Sequence, residues 1–206
     1  MISVIMPTMW KPEGVLERIK LIVEHPSVFE LILIDNSDTP PELPFIKKVR
    51  HIKEGKNTYV NPAWNKGYEL AFPTIDKLCF LNDDVITDWD IFDKMDYDGM
   101  ITEERGMIGA NESCWKGLNT SPGVHPVNRR DNCYGCIFFI HRNSYIPIPN
   151  DLLIHYGDDW LFTKSGKQNY GINAWPMGGE SEQTSGLAEF DTIKLVDKHN
   201  WFNKYR

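Results

Sequence analysis

Polar residues stand directly behind apolar runs at three places in this chain. Pro7-Thr8 follows residues 2–6, Asp35-Asn36 follows residues 29–34, and Asn82-Asp83-Asp84 follows residues 77–81. If those runs are parallel strands, their carboxyl ends open on one sheet edge, and side chains far apart in sequence converge there on a ligand. Taken singly, an acid after a strand is an ordinary turn former or helix cap, so the chemistry rests on the convergence. A second chemical candidate, Cys133-x-x-Cys136, falls short of a zinc site. Four ligands are needed, and only Cys114 and His125 lie nearby at irregular spacing, so these cysteines read as strand residues. Cys79, inside an apolar run, reads as a buried reduced thiol.

The elements that must position these residues alternate. Residues 2–6 read as a strand buried on both faces and ended by Pro7. In residues 13–24, Val15, Leu16, Ile19, Ile22 and Val23 share one helical stripe that Pro26 stops. Residues 29–34 are the next strand, which completes a βαβ unit with a parallel sheet. Residues 45–52 read as a weaker third strand, 61–72 as a helix with Pro62 in its first turn, and 77–81 as strand four. Residues 88–95 read as a helix and 106–110 as a buried strand. Beyond residue 110 the rhythm breaks: 111–133 reads as loop with room for one short strand, 135–141 as a strand, 158–167 as a helix opened by two acids, and 171–175 as a last strand. Residues 178–186 read as a mobile loop.

With 206 residues, 41% hydrophobic and 25% charged, the composition is that of a soluble globular protein, and one domain covering residues 1–206 is expected. Residues 1–110 would form a nucleotide-binding α/β half, and residues 111–206 the rest of the cleft. The net charge of −7 gives no general attraction for phosphate backbones, although Arg129, Arg130, Lys164, Lys167, Lys204 and Arg206 would suffice for a local basic cleft. The amino terminus, Met1 to Pro7, carries no signal-peptide pattern, and no run approaches a membrane span, so the expected compartment is the cytoplasm. The absence of G-x-G-x-x-G after the first strand argues against a Rossmann oxidoreductase.

In order and spacing these segments resemble the family 2 glycosyltransferases, nucleotide-sugar enzymes of the GT-A fold. Ser3-Val4-Ile5-Met6-Pro7-Thr8 is similar to the family's opening strand and nucleotide loop. Leu31-Ile32-Leu33-Ile34-Asp35-Asn36-Ser37 is similar to its second strand, ending in the acid that contacts the nucleoside. Asn61-Pro62-Ala63-Trp64-Asn65-Lys66-Gly67 resembles the segment beside the pyrophosphate, and Phe80-Leu81-Asn82-Asp83-Asp84-Val85 the DxD motif with Asn in first place. Tyr156-Gly157-Asp158-Asp159-Trp160-Leu161 resembles the second acidic motif, and His199 stands where many GT-A enzymes carry a late metal-binding His.

The resemblance implies an α/β GT-A fold, a single Rossmann-like, mixed and mostly parallel sheet flanked by helices. It implies a metal-dependent inverting glycosyltransferase that moves a sugar from a nucleoside diphosphate sugar, a UDP-sugar first, to a glycan hydroxyl. Pro7, Thr8, Asp35, Asn65, Lys66, Asn82 and Asp83 would bind the nucleotide sugar. Asp84 and His199 would hold Mn²⁺ or Mg²⁺, which neutralises the leaving diphosphate. Asp159, with Asp158 in reserve, would take the proton of the acceptor hydroxyl. Trp115, Trp160 and Trp175 would stack on sugars or fill the core. The alternatives are a viral-type transferase acting on hydroxymethylated DNA bases, a nucleotidyltransferase, and an inactive sugar-binding module. Pro7-Thr8-Met9-Trp10, with only Lys11 and Gly14 behind it, lacks the Gly-rich basic loop of the nucleotidyltransferases, and an inactive module would have lost the acids.

Overall fold

All seven residues of strand β1 (Ile2–Thr8) are buried, which the run Ile-Ser-Val-Ile-Met-Pro-Thr permits only at the centre of a sheet covered on both faces. In the computed structural model, which describes residues 1–97, 99–117, 121–179 and 187–206, β1 pairs in parallel with β2 (Val28–Asp35) on one side and β4 (Lys77–Leu81) on the other. Most of the expected mobile loop, residues 180–186, lies outside the described residues.

β3 (Val49–Lys53) adds to β2 in parallel and forms one edge. It starts four residues later than the sequence pattern suggests, because Lys48 takes a left-handed φ of 71° that breaks the extended backbone. Beyond β4 the direction changes. β8 (Ile137–His141) runs antiparallel to both β4 and β6 (Arg105–Ala110), β9 (Gln168–Asn173) is parallel to β6, and β7 (Gly123–Val127) closes the edge antiparallel to β9. The eight strands lie in the order β3-β2-β1-β4-β8-β6-β9-β7, so the sheet is mixed and draws on both halves of the chain. β9 ends two residues earlier than expected because Ala174 turns left-handed (φ 56°). β5 (Val85–Thr87) and β10 (Met177–Gly179) pair as a separate ribbon, too short to show a hydrophobic period in the sequence.

Helix α1 (Val15–Glu24) starts after Gly14, whose φ of 71° is the conformation glycine adopts without cost. It buries Val15, Ile19, Ile22 and Val23 in one core layer with Val4, Met6, Leu31 and Leu33; α3 (Ile91–Asp96) joins the same layer through Ile91, Phe92 and Met95. α2 (Val60–Leu70) covers the opposite face, where Trp64 meets Phe80 and Phe138, themselves stacked at 4.8 Å. α4 (Glu112–Lys116), α5 (Gly157–Lys164) and α6 (Asp191–Asn200) follow. Neither α4 nor α6 was expected from the sequence pattern. No helix among the described residues is long and apolar enough to cross a membrane.

The fit of α2 on β1 depends on a missing side chain. A Cβ on Gly67 would lie 2.2 Å from Ile5 Cγ2, so helix and strand must separate to admit it. Gly67→Ala is therefore expected to destabilise the protein by about 1–3 kcal/mol, read as a lower urea midpoint at unchanged slope.

Candidate active site

The carboxyl ends of β1, β2 and β4 open on a cleft of about 780 Å³, closed on the far side by the start of α5. Thr8, the last residue of β1, donates its hydroxyl to Asp83 Oδ2 at 2.6 Å. The Asp83 carbonyl accepts from Arg18 Nε at 2.8 Å, which ties the acidic turn to α1. Burial raises the Asp83 carboxyl above its ordinary value, opposed by the Thr8 hydrogen bond and the Arg18 charge. Burial, and next the charge of Asp83, push Asp84 up to about 6. Asp84 Oδ1 is buried without a hydrogen-bond partner. A desolvated carboxylate beside a second one, with an oxygen unused, is poised to accept a cation.

Asn82 also lines the cleft, and its backbone N–H donates to the Cys136 carbonyl at 2.9 Å. That bond joins the end of β4 to the turn Tyr134–Cys136 that leads into β8. Residues 135–136 were expected to be strand. They form a 3-10 turn instead, because Cys133 is left-handed (φ 61°) and the Cys136 N–H closes on its carbonyl. The turn presses on the opposite wall, since a Cβ on Gly135 would lie 2.7 Å from Asp158 Oδ2.

On that wall Arg130 holds both acids of α5. Its Nε donates to Asp159 Oδ1 at 2.7 Å and its Nη2 to Asp159 Oδ2 at 2.5 Å, a bidentate fork, while Nη1 sits 3.1 Å from Asp158 Oδ2. Burial raises the Asp158 carboxyl; the Arg130 charge opposes the shift and the Asp159 charge adds to it. The entry to α5 is held by Asp197 on α6, which is fully buried and accepts the backbone N–H groups of Leu153, Ile154 and His155 at 2.7–2.8 Å. His155 faces the cleft, and burial lowers its imidazole below the ordinary value. Asp197→Ala strands three donors and is expected to cost about 2–4 kcal/mol in a urea titration.

Seven of the residues that the sequence points to meet on this cleft: Pro7, Thr8, Asn82, Asp83, Asp84, Asp158 and Asp159. Four do not. Asp35 is fully buried at the end of β2, where its oxygens accept from Trp10 Nε1 at 2.7 Å and from Ser37 Oγ and N at 2.5 and 3.0 Å, with His51 Nε2 at 2.7 Å. Its neighbour Asn36 lines the cleft instead. Asn65 holds the segment between β8 and α5, donating to Ile148 O and accepting from Tyr145 Oη and Ile148 N. Lys66 pairs with Glu54. His199 is exposed on α6, bonded to Asn203. None of these four lines the cleft, and we leave them out of the proposed site.

The six cations that would make a basic cleft are dispersed. Of these six only Arg130 is among the residues lining the cavity; Lys164 donates to Tyr205 O, Lys167 to Glu103 O and Lys204 to Asp151, and Arg206 lies over Phe202. Of the three tryptophans, Trp115 reaches the cleft, whereas Trp160 packs on Tyr205 and Trp175 donates to Asp88 O. Among the described residues one His-Asp-Asp group is close enough to chelate, His25 with Asp90 and Asp93. It lies before β2, at the amino ends of the strands, on the edge opposite the cleft. His25 Nδ1 accepts from Ser27 N at 3.3 Å, and its Nε2 stands 3.9 Å from a carboxylate oxygen of each acid.

No family model and no curated protein matches the sequence. Solved structures do. The chain superposes on A197 from STIV with a TM-score of 0.50 at 14% identity, covering 85% of this chain and 83% of that one. It superposes on the catalytic domain of Drosophila β1,4-galactosyltransferase 7, in complex with xylobiose, with a TM-score of 0.52 at 13% identity over 83% of this chain and 64% of that one. GalNAc-T7 with UDP, GalNAc and Mn²⁺ gives 0.54 at 13% identity over 87% and 43%. The chain thus spans less than two thirds of either glycosyltransferase chain. At such identities what is shared is architecture: the chain has the α/β fold, a mixed and mostly parallel sheet flanked by helices, of GT-A glycosyltransferase catalytic domains.

Proposed function

We propose that the protein is a glycosyltransferase that takes a nucleoside diphosphate sugar, a UDP-sugar first, into the cleft and passes the sugar with inversion to an acceptor hydroxyl of a glycan. The observation that carries this reading is the pairing, across one cleft, of a cation-ready carboxylate at Asp84 with a second acid pair at Asp158-Asp159. Donor activation and acceptor deprotonation need two such groups on opposite sides of the anomeric carbon.

The residues fit a divalent cation. Asp84 offers the buried, unpartnered Oδ1, and one protein carboxylate completed by substrate phosphates and water is the usual arrangement for Mg²⁺ or Mn²⁺. When bound, the cation neutralises charge on the leaving diphosphate. Thr8 and Arg18 hold Asp83, and through it Asp84, in place. Asn36, Asn82 and the Pro7-Thr8 turn supply polar groups for nucleoside and ribose. Asp159 accepts the proton of the acceptor hydroxyl, with its carboxylate plane set by the Arg130 fork. We read residues 1–206 as one domain, with the donor held by the first half and the acceptor by the second.

The test is direct: the protein with Mn²⁺, a panel of nucleoside diphosphate sugars and mixed glycans, read by mass spectrometry. A glycan heavier by one sugar, with release of the nucleoside diphosphate, is expected. Transfer to hydroxymethylated DNA in place of glycan moves the acceptor to nucleic acid. Pyrophosphate release from a nucleoside triphosphate, with no sugar moved, makes the protein a nucleotidyltransferase instead.

A further inference from the structure

Between the two acidic walls of the cleft lie Cys133 and Cys136, a pair that the proposed transfer does not use. Cys133 is half-buried, Cys136 is buried, and both line the cavity. The Cys136 N–H donates to the Cys133 carbonyl at 3.0 Å, so the four residues make a tight 3-10 turn. Such a turn brings residues i and i+3 within about 7 Å at Cα and eclipses their side chains, which is the reach of a disulfide. The thiols are already hydrogen-bonded to each other; that contact, followed by burial, pushes the Cys136 thiol up.

We propose that Cys133 and Cys136 form a thiol–disulfide exchange site inside the cleft, closed by small-molecule disulfides and reopened by thiols. Cys133 Sγ, on the more exposed of the two residues, attacks one sulfur of a disulfide RSSR, forms a mixed disulfide and expels one RS⁻. The buried Cys136 Sγ then attacks Cys133 Sγ, forms the internal S–S bond and expels the second RS⁻. The two thiol protons end on the two RS⁻ groups, and the two electrons reduce RSSR to two RSH.

The position gives the bond a consequence. The Cys136 carbonyl accepts from Asn82 N, and Gly135 packs on Asp158, so the turn that would tighten is the one that braces the metal-side motif and the base-side acids together. The other two cysteines stand apart from the exchange: Cys79 is fully buried in the core, and buried Cys114 donates to Ile172 O.

The experiment treats the fully reduced protein with glutathione disulfide at pH 8, alkylates the remaining thiols and digests with trypsin. Residues 131–142, between Arg130 and Arg142, contain both cysteines and no internal Lys or Arg. The expected product is that peptide lighter by two hydrogens and unalkylated, so that two of the four thiols are lost, and dithiothreitol restores them. Cys133→Ser and, independently, Cys136→Ala should each prevent the internal bond. A peptide that keeps both alkylatable thiols, or that stops as a glutathione adduct, overturns the proposal. A second arm measures UDP with Mn²⁺ by calorimetry on both forms. Weaker binding to the oxidised form that dithiothreitol reverses is expected, and equal affinity overturns the coupling to the site. If the disulfide closes while neither form binds UDP, the glycosyltransferase reading fails and the exchange site stands.

Discussion

Asp84→Asn is expected to abolish turnover and, in the same molecule, to make the metal-free protein more stable. The two effects share one cause. A carboxyl raised to about 6 in the fold, above the ordinary aspartate range, is ionised at pH 8 at the expense of folding. In the metal-free protein this penalty is absent below about pH 4, grows as the pH rises towards 6 and is fully present above it. A neutral Asn of the same shape removes it, a gain of about 1–3 kcal/mol at pH 8 that vanishes below about pH 4. Thermal melts of both proteins in EDTA at pH 4 and pH 8 check the stability, and donor turnover with Mn²⁺ checks the activity. A variant that is less stable at pH 8, or that still turns over, would place the cation elsewhere.

Asp159→Asn is expected to lower turnover by about 10²–10⁴-fold with donor binding intact, as for removal of a positioned base. Asp158→Asn should cost far less, because the Asp158 carboxyl is shifted by burial towards its protonated form and meets Arg130 through one oxygen only. The fork on Asp159 makes a further distinction. Arg130→Lys keeps the charge but cannot hold both oxygens, so kcat should fall while KM for the donor moves little. Equal loss in both Asn variants would mean that the pair acts as one unit, and the reverse order would make Asp158 the base.

The amino-terminal half of the fold was legible because its strands are continuous apolar runs ended by polar turns, and β1, β2 and β4 fall where residues 2–6, 29–34 and 77–81 announce them. The acids that follow β4 and open α5 were legible for the same reason: they stand at element ends, where convergence can be inferred from topology. Three kinds of feature were hidden. β5 and β10 are three residues each, too short for a period. Left-handed residues such as Lys48, Cys133 and Ala174 shorten or delay strands without a glycine to mark them. Side-chain capture by distant partners is invisible in one dimension. Asp35 ends the right strand but is held by Trp10, Ser37 and His51; Asn65 and Lys66 sit on the right helix but are occupied by residues 145–148 and by Glu54. Arg130 could be named only as one cation among six, since its fork depends on α5 lying 29 residues away in sequence. His155 had a local signal, standing three residues ahead of Asp158.

Calorimetric titration of free UDP tests the central claim most directly, that this cleft takes a nucleoside diphosphate on a cation held by Asp84. The account predicts binding to the wild-type protein in Mn²⁺, and loss of that binding both in EDTA and in Asp84→Asn. UDP affinity unchanged by EDTA and by Asp84→Asn, or no affinity for any nucleoside diphosphate in Mn²⁺, would contradict it.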